Sequence, residues 1–78
     1  MTHEYDSGMD EPQSPEPRAI EFLRAAQSAR TDYSERFYIK EALSRYNEAA
    51  RFYRQRGMVE EAKRCEERAS NLANWLYD

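Results

Sequence analysis

The spacing of apolar residues in the final segment restricts the fold more than any other feature of this chain. Six small or apolar residues follow each other at alternating steps of four and three: Met58, Ala62, Cys65, Ala69, Leu72 and Leu76. This alternation places them along one face of an α-helix. It predicts a helix from about Val59 to Tyr77, with Glu60 and Glu61 in its first turn, where acidic residues are favourable.

Two apolar rows predict a longer helix before it, from about Tyr33 to Arg56. One row contains Ile39, Ala42, Tyr46, Ala49 and Tyr53, and the other runs from Tyr38 through Ala42 and Ala49 to Phe52. A helix with two apolar rows is expected to contact two neighbours.

A first helix is predicted from about Pro17 to Arg30, since proline is favoured in a first turn. Its apolar face contains Ala19, Ile20, Phe22, Leu23, Ala26 and Ala29. Asp32, with Glu35 three positions later, is a candidate cap for the second helix, and Ser34 is the competing candidate.

The predicted fold class is all-α, an antiparallel bundle of three helices. Gly57 can adopt the left-handed conformation that ends a helix, and the short connection there makes helices 2 and 3 an antiparallel hairpin. Within this hairpin, the rings of Tyr46 and Tyr53 are expected to pack against Ala62 and Ala69.

The N-terminal segment differs in composition from the rest. Residues 1–18 contain five acidic residues and one arginine, a net charge of −4, which leaves +1 for the remainder. Glycine, prolines and acids with little apolar material predict that residues 1–16 are a disordered acidic tail. The three-helix domain then spans residues 17–78.

The residues needed for catalysis or metal binding are scarce. His3 is the only histidine, Cys65 the only cysteine, and Gly8 and Gly57 the only glycines. The sequence offers no base beside a possible nucleophile, too few ligands for a zinc site and too few glycines for a phosphate-binding loop. The sequence therefore predicts no enzyme and no catalytic, cofactor or metal site, with Cys65 as a small packed residue.

The cysteine count and the hydropathy pattern bear on the compartment. A lone cysteine without a signal-like apolar stretch after Met1 is typical of a reducing, cytoplasmic environment. No apolar run approaches the roughly 20 residues that a membrane-spanning helix needs.

Seven basic residues are concentrated in the second half of the chain: Arg45, Arg51, Arg54, Arg56, Lys63, Arg64 and Arg68. Acidic residues are interleaved with them, which favours surface ion pairs over the basic stripe that a nucleic-acid-binding domain would need. Binding of nucleic acid through this cluster is the weaker alternative.

Trp75 and Tyr77 lie at the end of the last helix, with Leu72 and Leu76 nearby. Apolar surface that three short helices leave uncovered would mark a contact surface. Two interpretations stay open: Trp75 packs on helix 1 and closes the bundle, or it mediates self-association.

The segment from Ala42 to Asn74 resembles one tetratricopeptide repeat. The matching residues are the aromatics Tyr46 and Tyr53, the small pair Ala49 and Ala50, the turn residue Gly57, and Ala62 and Ala69 of the second helix. Ala19, Leu23 and Ala26 resemble the second helix of a partial preceding repeat. The resemblance implies a helical hairpin whose groove-facing positions are Ser44, Asn47, Arg51 and Arg54.

Two further resemblances are weaker. The run from Ala42 to Ala49 and the stretch Arg64-Cys65-Glu66-Glu67 are similar to the second and third helices of microtubule-interacting-and-transport domains, three-helix bundles that bind tails of membrane-remodelling proteins. The run from Tyr46 to Leu76 is also similar to an uncharacterised archaeal helical-hairpin family, which implies no function.

These observations favour a non-catalytic protein–protein interaction module, an adapter or small regulatory subunit that presents its helical hairpin to a protein or peptide. Asn47 and Arg51 would offer an amide and a guanidinium to a peptide backbone or carboxylate. The alternative is a structural homodimer that pairs through Trp75.

Overall fold

A computed structural model of the chain describes residues 13–77. This part of the chain contains three helices and no strand: α1 (Glu16–Gln27), α2 (Asp32–Gln55) and α3 (Val59–Tyr77). The predicted all-α, three-helix fold is therefore confirmed. Residues 1–12 of the predicted tail lie outside the described residues. None of the helices that the structure describes combines the length and the apolar content needed to cross a bilayer.

The start of α1 corrects the predicted boundary between tail and domain. Glu16, assigned to the tail, is the first residue of α1, and its backbone N–H donates to Oγ of Ser14 at 3.0 Å. Pro17 lies in the first turn, as expected. The helix ends at Gln27, before the predicted Arg30, because the N–H of Ser28 bonds to the carbonyls of Ala25 and Arg24 in a tightened last turn.

Thr31 caps the N-terminus of α2, so the predicted caps Asp32 and Ser34 were both wrong. Thr31 has an extended backbone, with φ −129° and ψ 156°, and its side chain accepts a hydrogen bond of 3.0 Å from the N–H of Ser34. Asp32 is already helical. The cap thus satisfies one of the donors that a helix start leaves unpaired, with Ser34 as the donor.

Gly57 ends α2 in the predicted left-handed conformation, with φ +74°. The N–H of Gly57 donates to the carbonyl of Arg54 at 3.1 Å, and the N–H of Met58 donates to that of Tyr53 at 2.9 Å. This pair of bonds is the Schellman motif. It reverses the chain so that α3 runs antiparallel to α2.

The core forms where α2 packs against both neighbours, as its two apolar rows predicted. Tyr46 is 1% exposed and lies at the centre of the larger cluster, which also contains Ala19, Ala49, Ala50, Cys65 and Ala69. Burying a ring of this kind contributes about 1.5–3 kcal/mol. A smaller cluster nearer the other end contains Ala26, Ile39 and Leu76.

The predicted packing of the hairpin is confirmed for its central residues. Tyr46 and Ala69 belong to one buried cluster, and Tyr53 packs against that cluster while partly buried. Ala62 is completely buried. Alanines at these positions let the axes of α2 and α3 approach closely enough for the rings to fill the space between them.

Polar contacts show the relative directions of the helices. Glu16, at the start of α1, accepts hydrogen bonds from Tyr53 near the end of α2 and from Arg64 near the start of α3. At the other end, a guanidinium N–H of Arg36 donates to the carbonyl of Leu76 at 3.0 Å. Thus α1 and α3 run in the same direction, and α2 runs opposite to both.

Candidate functional site

One face of α2 is exposed along the whole helix. Seven of its residues, separated by steps of four, three, four, three, four and three, are all exposed: Tyr33, Phe37, Lys40, Ser44, Asn47, Arg51 and Arg54. This spacing keeps them on one side of the helix. We call this set the outer stripe of α2.

The outer stripe has two chemically different halves. Tyr33 and Phe37, at its N-terminal end, are 80% and 48% exposed. The C-terminal half carries the amide of Asn47 and the guanidinium groups of Arg51 and Arg54. Aromatic residues and arginine are enriched at protein interfaces, and this stripe presents both without an acidic residue among its seven members.

Arg36 joins the aromatic half of the stripe to the end of α3. It lines one shallow pocket with Tyr33, Phe37 and Lys40, and a neighbouring pocket with Asp32, Glu35 and Trp75. Its guanidinium carbon lies 5.8 Å from the centre of the Trp75 ring. This contact and the hydrogen bond to the carbonyl of Leu76 hold the Arg36 side chain between Trp75 on one side and Tyr33 and Phe37 on the other.

Trp75 remains a candidate contact residue, but its surroundings differ from the first predicted alternative. The indole is 48% exposed and lies beside the first turns of α2, whereas the first alternative places it on helix 1. It therefore leaves about half of its surface available at this end of the bundle.

Tyr77 is separated from this surface. It is 70% exposed and lines neither of the two pockets around Arg36. Because adjacent helical residues are about 100° apart, Trp75 and Tyr77 flank the buried Leu76 on opposite sides. The structure does not bring the two residues together.

The four groove positions implied by the repeat resemblance are all exposed, and they form the C-terminal part of the outer stripe. Arg54 is held in place by Glu66 of α3, with Nε and Nη2 donating at 2.7 and 2.8 Å to the two carboxylate oxygens. The Arg54 hydrogen bonds lower the pKa of Glu66. Among the described residues, Ser44, Asn47 and Arg51 form no side-chain hydrogen bond or ion pair.

Sequence reasoning missed three members of this stripe near the start of α2, Tyr33, Phe37 and Lys40, and it also missed the neighbouring Arg36. The alternating spacing continues back from Ser44 through Lys40 and Phe37 to Tyr33, so the outward face could have been followed through the whole helix. The role of Arg36 depends on its contacts with Trp75 and Leu76, which lie about forty positions away.

Several arginines of the basic cluster pair with carboxylates. Arg64 bonds to Glu16 at 2.8 Å, and Arg45 lies 3.8 and 3.6 Å from Glu41 and Glu48. These contacts agree with the interpretation of the cluster as surface ion pairs. They reduce the positive charge that a nucleic-acid backbone would meet.

Cys65 lies in the main core cluster. Burial raises the pKa of its thiol, and the nearby Glu16 carboxylate acts in the same direction. A buried, protonated thiol is a poor nucleophile. Its place in the core is that of a small packed residue, as the sequence predicts.

No protein-family model, curated protein or solved structure matches the chain. The resemblances to tetratricopeptide repeats, to microtubule-interacting-and-transport domains and to the archaeal hairpin family therefore stay predictions.

Proposed function

We propose that this chain is a non-catalytic interaction module, an adapter or small regulatory subunit that presents the outer stripe of α2 to a protein partner. The observation that carries the proposal is the unbroken exposure of seven stripe residues over a 24-residue helix. Aromatic residues and arginine are enriched among the residues that contribute most of the binding energy at protein interfaces.

The chemistry of the stripe indicates the kind of partner. Exposed rings of Tyr33 and Phe37 would anchor apolar side chains at one end, while Lys40 and Arg51 would favour carboxylates farther along. An acidic segment that also carries apolar residues would complement both halves. Asn47 would offer an amide to the partner's backbone.

Two double variants test the proposal. Asn47→Ala with Arg51→Ala removes polar groups, and Tyr33→Ser with Phe37→Ser removes the exposed rings. Partners captured by the immobilised wild-type chain should be lost with either variant, while far-UV circular dichroism stays unchanged. Arg24→Ala on α1, which removes an exposed arginine outside the stripe, is the matched control. Capture that is the same for wild type and both double variants would contradict the proposal.

The second candidate function is a structural homodimer that pairs through Trp75. The half-exposed indole, with Phe37 and Tyr33 beyond Arg36, supports it. Sedimentation velocity at two concentrations should then show a dimer that Trp75→Arg dissociates. A monomer at both concentrations would rule this candidate out and leave the interaction module.

A further inference from the structure

A second concave surface lies between α1 and α3, on the side of α2 away from the outer stripe. It has a volume of about 380 Å³ and is lined by Leu23, Tyr46, Glu67, Arg68, Asn71 and Leu72. Small-ligand sites commonly occupy about 300–1,000 Å³, so the groove can hold one residue of a partner. None of its lining residues belongs to the outer stripe.

The groove combines apolar walls with polar groups. Leu23 of α1 and Leu72 of α3 are partly buried against the core and line the groove with their remaining surface. Tyr46 is almost completely buried, yet it is one of the residues that line the groove. No buried polar side-chain atom lacks a partner in the described part of the chain, so the Tyr46 hydroxyl is either paired or open to the groove.

Arg68 is the basic residue of the groove. It is exposed and forms no ion pair with any residue in the range 13–77, in contrast to Arg64 one turn earlier, which pairs with Glu16. Arg68 and Tyr46 line the same groove, and the pKa of the Tyr46 phenol is raised by burial although Arg68 opposes that rise. The phenol therefore stays protonated at neutral pH and can donate a hydrogen bond beside the guanidinium.

We propose that this groove binds the C-terminal residue of a partner peptide that ends in an apolar side chain. The terminal carboxylate would pair with Arg68 and accept hydrogen bonds from the Tyr46 hydroxyl and the Asn71 amide, while the side chain lies between Leu23 and Leu72. This site is separate from the outer stripe, and it does not depend on the function proposed for that stripe.

The arrangement favours a terminal residue over an internal acidic one. A C-terminal residue carries its apolar side chain on the carbon next to the carboxylate, so one residue can fill both parts of the groove. An internal aspartate or glutamate offers the charge without the apolar group. The single guanidinium beside apolar walls also suits one carboxylate better than a phosphate group, which carries a charge of about −1.5 to −2 at pH 7.

Glu67 is the one acidic group of the lining, and it opposes the proposed ligand. Its carboxylate would repel the terminal carboxylate, so replacing it by the neutral isostere should strengthen binding. Glu67→Gln should thus raise the affinity for the peptide, whereas Arg68→Gln should lower it.

The direct test uses a fluorescein-labelled hexapeptide with the sequence Ser-Gly-Ser-Gly-Ser-Leu and a free C-terminal carboxylate. Binding to the full chain is followed by fluorescence anisotropy at low salt, and the same peptide with an amidated C-terminus is the comparison. Loss of a charge-assisted hydrogen bond corresponds to a weakening of about ten-fold or more. Amidation of the peptide and the Arg68→Gln substitution should each weaken binding by this factor.

Matched variants separate the groove from general electrostatics. Tyr46→Phe keeps the buried ring and should weaken binding several-fold, and Glu67→Gln should strengthen it. Arg51→Gln removes the same charge from the outer stripe and should leave binding unchanged. Circular dichroism checks that each variant is folded, and the exposed Arg68 provides a test even if Tyr46→Phe is unstable.

Three outcomes would overturn the proposal. The first is equal binding of the amidated and free peptides. The second is an equal effect of Arg68→Gln and Arg51→Gln. The third is a failure of N-acetylleucine to displace the labelled peptide, because the proposal places the terminal residue alone in the groove.

Discussion

The hydroxyl of Tyr53 donates a hydrogen bond of 2.9 Å to Oε1 of Glu16, and this contact ties the end of α2 to the start of α1. The same carboxylate accepts a hydrogen bond from Arg64 of α3, so this one side chain of α1 contacts both α2 and α3 at this end of the bundle. Its side chain is 15% exposed. A residue assigned to the tail by composition therefore helps to position the first helix.

We expect Glu16→Ala to lower the free energy of unfolding by about 1–2 kcal/mol, because it leaves the partly buried hydroxyl of Tyr53 without its charged acceptor. Glu21→Ala is the matched control on the same helix, since the Glu21 carboxylate is exposed and lies 3.6 Å from Arg18. Its effect should stay within about 0.5 kcal/mol. Urea denaturation measures both, and equal effects would show that the contact of Glu16 with Tyr53 contributes no more than a surface ion pair.

Close packing in the hairpin leads to a second prediction. Ala62 of α3 is completely buried, so Ala62→Leu should destabilise the fold by about 1–3 kcal/mol through overpacking. Ser70→Leu places the same side chain on the exposed face of α3 and should have little effect. Thermal unfolding followed by circular dichroism should show a lower melting temperature for Ala62→Leu alone. An unchanged melt would mean that the axes of α2 and α3 are farther apart at this point.

Gly57 supports a third prediction, based on its backbone. A Cβ atom added there would meet nothing within 4 Å, so any loss must come from the φ of +74°. Gly57→Ala should lower the free energy of unfolding by about 1–2 kcal/mol, and Gly57→Asn by less, because asparagine tolerates the left-handed region. Gln55→Ala in the last turn of α2 is the control. If Gly57→Ala and Gly57→Asn have the same effect in urea titrations, left-handed strain is not the cause.

The hairpin could be predicted from sequence because its determinants are local. The alternating spacing from Met58 to Leu76 and the single glycine at position 57 define the start of α3 and its direction. The start of α2 was harder to predict, since Thr31, Asp32 and Ser34 all have side chains that can cap a helix. The choice of Thr31 depends on its extended backbone, which no residue type specifies alone.

The candidate surfaces were predictable only where they follow one helix. Ser44, Asn47, Arg51 and Arg54 were found from the repeat resemblance, and periodicity alone would have added Phe37 and Tyr33. The groove beside Tyr46 was not predictable, because it forms between α1 and α3, which pack on the same helix but are far apart in sequence. Likewise, the contacts of Glu16 reach partners 37 and 48 positions away.

The burial of Cys65 supports the last prediction, which concerns pH. Its thiol pKa is raised, so the folded state retains the proton at a pH where the unfolded state releases it. The corresponding stability is complete below the unfolded pKa, near 8.5, and is lost as the pH rises through the folded value. The free energy of unfolding should therefore be lower at pH 10 than at pH 7, and the raised pKa of Tyr46 acts in the same direction.

At pH 8, labelling of Cys65 by a thiol reagent should be at least about ten-fold slower in the folded chain than in concentrated urea, since the thiol reacts only after the structure opens. Equal labelling rates in the two conditions would contradict a buried Cys65 and its place in the main core cluster.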